Sequence, residues 1–127
     1  MARSQPRPTD TELAILRVLW ERGASTVRQV HEALADTRET GYTTTLKLMQ
    51  IMAEKGLVKR NETERSHVYS ASAGEEQTQR QLVQDLVDRA FGGSAAQLVL
   101  RALGAEGASD AELKEIRKLI DDYREKR

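Results

Sequence analysis

Between Thr9 and Gly23 the apolar residues Leu13, Leu16, Leu19 and Trp20 recur at helical spacing, the mark of a helix with one buried stripe. Thr9-Asp10-Thr11-Glu12 ahead of them has capping-box spacing, and Gly23 is a natural stop. Val27, Val30 and Leu34 predict a second helix over Thr26 to Leu34. After a polar stretch from Asp36 to Gly41, a third helix is predicted up to Gly56. Placed at about 100° per residue, Thr45, Leu48, Met49 and Met52 share one arc. Thr43, Lys47, Gln50 and Glu54 lie opposite, with Thr44 and Ile51 at one border and Leu46 at the other. The helix runs directly into Gly56-Leu57-Val58-Lys59-Arg60, which reads as a strand. His67-Val68-Tyr69-Ser70 reads as its partner, across a polar tip at Asn61–Ser66. The order is helix, helix, helix, β-hairpin: mainly α with a small β-wing, a winged helix-turn-helix.

The second half has a different pattern. Leu82, Val83, Leu86, Val87 and Ala90 form a narrow apolar seam between Glu75 and Phe91, broken by Gly92-Gly93. Ser94 can cap a short helix through Leu103, and Gly104 to Ala108 is another break. Ser109-Asp110-Ala111-Glu112 opens a last helix carrying Leu113, Ile116, Leu119, Ile120 and Tyr123. Such stripes, joined by short links, cannot bury one another within one short chain. A C-terminal helical dimerisation region is the simple reading, with Leu82, Leu86, Leu98, Leu100, Leu113, Ile116, Leu119, Ile120 and Tyr123 at the interface. The domains are therefore expected at 1–73 and 74–127.

Composition constrains this picture more than it extends it. The chain has 127 residues and no net charge. Residues 1–73 hold 11 Lys/Arg against 9 Asp/Glu, +2; residues 74–127 hold 9 against 11, −2. So slight an asymmetry neither supports nor excludes a nucleic-acid partner; a local basic patch would suffice. With no cysteine there is no disulfide and no thiolate metal site. The N-terminus lacks a hydrophobic signal core and no apolar run approaches a membrane span, so a cytoplasmic protein without membrane insertion is expected. Met1 to Pro8 reads as a flexible arm. His31 and His67 stand far apart without ligand spacing, and no nucleophile–base pair or phosphate-cradling glycine loop occurs. No metal, cofactor or enzymatic activity is expected.

The chemistry lies in the third helix. Hydroxyls, an amide and one cation are the groups that meet base edges and phosphates in a DNA major groove. Thr43, Thr44, Lys47 and Gln50 are the candidates, with the solvated face of an ordinary core helix as the alternative. Arg28, early in the second helix, suits a phosphate contact or plain solvation. Tyr42 can offer its hydroxyl to a phosphate or simply pack its ring. Lys59, Arg60 and Arg65 suit a wing contact with phosphate or minor groove, opposed by Glu62 and Glu64 in the same tip.

The third helix with its following strand resembles the penicillinase-repressor (BlaI/MecI) family of bacterial transcriptional repressors. So do Leu19-Trp20-Glu21-Arg22-Gly23, Thr26-Val27-Arg28-Gln29-Val30-His31-Glu32-Ala33-Leu34, His67-Val68-Tyr69-Ser70, and Phe91-Gly92-Gly93-Ser94 followed by Leu98-Val99-Leu100. The resemblance implies a homodimeric repressor on double-stranded, inverted-repeat operator DNA. Leu46 and Ile51 stand where relatives often carry Arg or Thr, so the operator is expected to differ from the family's usual TACA/TGTA-type palindrome. Copper-responsive relatives use a C-terminal cysteine cluster that this chain lacks. In antibiotic-sensing relatives a sensor-controlled protease cuts after a Leu-Val-Leu-like run. The matching bond here is Arg101–Ala102, where Arg replaces Asn and Ala replaces Phe; the bland alternative is an ordinary, uncut interface helix. Two other readings stay open: a winged regulator released by a small-molecule effector, and a winged protein-interaction module with no DNA role.

Overall fold

The computed structural model describes residues 7–63, 65–105 and 107–127. The expected arm at Met1 to Pro8 lies outside them except for Arg7 and Pro8, as does Glu64 in the hairpin tip. The elements are α1 (Asp10–Arg22), β1 (Ser25–Thr26), α2 (Val27–Leu34), α3 (Tyr42–Lys55), β2 (Val58–Asn61), β3 (Val68–Ala71), α4 (Glu75–Ala90), α5 (Ala95–Ala105) and α6 (Asp110–Lys126). They divide into two compact units, which part between Leu82 and Val83, inside α4. The boundary read from the sequence, at residue 73, stands just ahead of that helix.

In the first unit, α1 begins as its sequence directs. The Thr9 hydroxyl accepts from the Glu12 N–H at 3.2 Å, and the Glu12 carboxylate accepts from the Thr9 N–H at 2.9 Å. A second reciprocal box opens α2, where Thr26 and Gln29 exchange bonds of 3.2 and 2.9 Å. Each box satisfies two otherwise orphaned N–H groups at a helix start. At the other end of α3, Gly56 takes the left-handed conformation (φ 84°, ψ 11°) and the Leu57 N–H donates back to the Met52 carbonyl at 2.9 Å. A side chain would be strained there, so glycine sets where the helix stops and the strand begins.

The core gathers one stripe from each helix. Ile15, Leu16 and Leu19 of α1, Val30 and Leu34 of α2, and Met49 and Met52 of α3 are buried, with Leu57, Val58 and Tyr69 beneath the hairpin. Burial of each such side chain contributes about 1.5–3 kcal/mol. The arc assigned to α3 holds: Thr45, Met49 and Met52 are buried and Leu48 packs partly against the core, while Thr43, Lys47, Gln50 and Glu54 are exposed.

The wing is a sheet of three antiparallel strands in the order β1-β3-β2. Tyr69 pairs with Ser25 on one side and Arg60 on the other. The two-residue β1 has no counterpart in the sequence reading, because two residues carry no alternation. It ties the turn before α2 to the hairpin. The Trp20 indole adds a second tie, donating to the Ala73 carbonyl at 3.0 Å.

In the second unit, α5 runs to Ala105 rather than ending at Leu103. Gly104 stays helical, and the turn is made instead at Gly107 (φ 73°). A glycine inside a helix costs only about 0.5–1 kcal/mol relative to alanine, too little to end it. Ser109 caps α6, accepting from the Glu112 N–H at 3.1 Å. Neither α5 nor α6 has a buried residue. Among the described residues, no helix is long and apolar enough to cross a membrane.

Candidate nucleic-acid interface

The first unit carries a concavity of about 480 Å³ between the start of α2, one flank of α3 and the hairpin. Tyr42, Leu46 and Gln50 line it from α3, at successive four-residue steps on one ridge. Arg28 lines it from the first turn of α2. Arg60, Arg65, Ser66, His67 and Tyr69 line it from the hairpin. Three guanidinium groups thus converge on one groove in a chain whose net charge is zero. A face of this sign, flanked by an exposed polar helix, is built for a polyanion.

Five of the sequence-derived candidates therefore meet: Arg28, Tyr42, Gln50, Arg60 and Arg65. Thr43, Thr44 and Lys47 are exposed on α3 but lie further round the helix, outside the groove. Lys59 is also exposed and outside it. The reason is strand alternation, which sends neighbouring side chains to opposite faces, so Arg60 faces the groove and Lys59 does not. Leu46, whose apolar side chain led to the expectation of a different operator, joins the lining, as do Thr26, Val27, Ser66 and His67, which were not named as DNA contacts. The four-residue spacing from Tyr42 to Leu46 to Gln50 places Leu46 on the same ridge as two of the named candidates.

The electrostatics favour an anion at two points. Arg60 is cationic at any ordinary pH, and the neighbouring Tyr69 side chain and the charge of Glu62 raise its pKa further. That same Glu62 forms an ion pair with Arg60 and partly neutralises it. At the start of α3 the N-cap is Gly41, which makes no side-chain cap bond, and the first turn contains no acidic residue. In α1 the corresponding turn holds Asp10 and Glu12. The positive end of the α3 dipole is thus left uncompensated where Thr43 and Thr44 stand.

α3 is fixed from behind. The Lys55 ammonium lies 2.9 and 3.2 Å from the Glu12 carboxylate oxygens. Glu12 is 2% exposed. Burial alone would raise its pKa; the Thr9 N–H and Lys55 outweigh that and lower it below the ordinary 4.5. This pair joins the first turn of α1 to the last turn of α3. No local signal in the sequence could have linked residues so far apart.

Three helices, a wing and a cationic groove beside the third helix define a winged helix-turn-helix DNA-binding protein. The chain belongs to the penicillinase repressor family, whose sequence model matches residues 8–122. It is 34% identical over 105 residues to the transcriptional regulator BlaI of Mycobacterium tuberculosis (strain CDC 1551 / Oshkosh), covering 81% of this chain and 76% of that protein. It is 21% identical over 126 residues to the penicillinase repressor of Staphylococcus aureus, covering 99% and 100%. Among solved structures, the DNA-binding domain of the repressor BlaI superposes with a TM-score of 0.51 at 22% identity, covering 58% of this chain and 90% of that one. The monomeric form of Bacillus licheniformis BlaI in complex with the blaP half-operator gives 0.51 at 21% identity, covering 59% and 92%. The expected family and winged fold are thereby met, and the protein is a DNA-binding transcriptional repressor.

Proposed function

We propose that the repressor acts as a homodimer on an inverted-repeat operator, each winged domain (1–73) reading one half-site and the helical region (74–127) setting the spacing. The observation that carries this reading is the arginine-lined groove beside the exposed face of α3. In it, α3 enters the major groove. Thr43, Thr44, Lys47 and Gln50 meet base edges and phosphates, while Arg28, Arg60 and Arg65 hold the backbone. Lys59, on the opposite face of the strand, takes a lesser part. The relative bound to a half-operator supports DNA as the partner over a protein-interaction role.

The dimer reading is supported by the exposed apolar side chains of the second half. Leu86 is 49% exposed, Leu100 57%, Leu119 61%, Ile120 51% and Tyr123 66%. Leu113 is also exposed, and Leu82, Leu98 and Ile116 are half-buried. A second copy covering these stripes turns two weak half-site contacts into one strong one through effective concentration.

Release by cutting Arg101–Ala102 is the accompanying proposal. Both residues are exposed on α5 in the single chain, where a protease can reach the bond between them. A cut there frees α6 from the dimer unit, and both half-sites are lost together. Footprinting on the protein's own upstream region tests the central reading. Two protected half-sites in inverted orientation are expected, and no salt-dependent protection of any duplex would refute it.

A further inference from the structure

Tyr42 stands where α2 meets the start of α3, and two side chains of α2 hold its ring. The Arg28 guanidinium carbon lies over it, 5.4 Å from the centroid. The His31 ring meets it edge-on, with centroids 5.8 Å apart and planes at 87°. Arg28 and His31 are three residues apart, so they share one face of α2. Tyr42 is 41% exposed, so the stack lies at the surface of the groove. The His31 Nδ1 is buried and makes no hydrogen bond among the described residues. At Nδ1 the imidazole thus has no polar partner, and its contact with Tyr42 is through the ring.

We infer that Tyr42 is a positioning residue: its ring, braced by His31, holds the Arg28 guanidinium in the groove, ready for a backbone phosphate. A free arginine has many rotamers, and each bond it makes to DNA must offset their loss. Stacking on an aromatic face removes part of that cost before DNA arrives, and leaves the in-plane N–H donors directed outward. The ring performs this task and the hydroxyl does not. That separates this role from a direct Tyr42–phosphate bond. Because Tyr42 is also the first residue of α3, the stack fixes the phosphate clamp relative to the start of the reading helix.

This inference rests on the DNA-binding reading, and the experiment separates the two. Full-length wild type, Arg28→Ala, Tyr42→Ala, Tyr42→Phe and the Arg28→Ala/Tyr42→Ala double variant are titrated into the footprinted operator over a range of salt. Circular dichroism confirms that each is folded. Tyr42→Ala is expected to weaken binding about 2- to 5-fold, the range of one exposed cation–π contact. Its salt slope should shift toward that of Arg28→Ala, which loses about one phosphate contact. Tyr42→Phe should bind like wild type, and Tyr42→Ala should cost nothing further once Arg28 is gone. Equal losses for Tyr42→Phe and Tyr42→Ala would overturn the inference in favour of a hydroxyl contact. An undiminished loss in the Arg28→Ala background would overturn it in favour of a role independent of Arg28. Wild type failing to bind any duplex in a salt-dependent way would overturn the DNA reading itself.

Discussion

Replacing Lys55 with methionine tests the contact that seats the reading helix. Methionine keeps an unbranched apolar stem and removes the ammonium. The Glu12 carboxylate, 2% exposed, then keeps its 2.9 Å bond from the Thr9 N–H but loses both bonds to Lys55. Stripping one partner from a fully buried ion pair costs about 3–5 kcal/mol. Lys55 is 37% exposed, so solvent already screens part of this attraction. The expected loss is therefore smaller, about 1–2 kcal/mol. In a domain of this size that lowers Tm by about 4–16 °C. The pH dependence sharpens the test. The folded-state pKa of Glu12 lies below its ordinary 4.5, so its contribution is present above that value and is lost as pH falls through the folded pKa. Thermal unfolding of both proteins near neutral pH should show the full gap, and acidification below 4.5 should narrow it. Adding Glu12→Gln to Lys55→Met removes the stranded charge while leaving an acceptor for the Thr9 N–H. The double variant should recover part of the loss. An equal gap at both pH values, with no recovery, would show that the pair does not couple α1 to α3.

Lys47→Ala and Thr44→Ala should each weaken operator binding by about 1–3 kcal/mol, and Lys47→Ala should also reduce the salt slope; wild-type affinity in both, with the fold intact by circular dichroism, would remove α3 from the reading role. Met49, fully buried at the centre of the first unit, should cost about 2–5 kcal/mol as Met49→Ala, read by urea unfolding. A shortened chain ending at Leu82 should stay folded, sediment as a monomer and bind DNA weakly, whereas a full-length monomer at micromolar concentration would contradict the dimer proposal. Inducing cells should accumulate a fragment ending at Arg101, detectable by intact mass; derepression with only full-length protein would rule cutting out.

The sequence by itself determined most of the first unit's elements. Periodicity placed the buried arc of α3, the Thr9 box opened α1, and Gly56 ended α3, because each is a local signal within a few residues. Motif order, too, was enough to suggest the family. One element and one boundary escaped for local reasons: β1 is too short to show alternation, and Gly104 was too weak a breaker to end α5. The composition of the groove was decided only by tertiary structure. Arg28, Leu46, Gln50, Arg60, Arg65 and His67 come from α2, α3 and the hairpin, and a chain with no net charge gives no hint that its arginines converge. Strand alternation then admitted Arg60 and turned Lys59 away. The Glu12–Lys55 pair, half open to solvent, and the stack of Arg28 on Tyr42 likewise depend on how separate helices meet. A contact between distant residues is set by how whole elements pack, and no pattern within either segment encodes it.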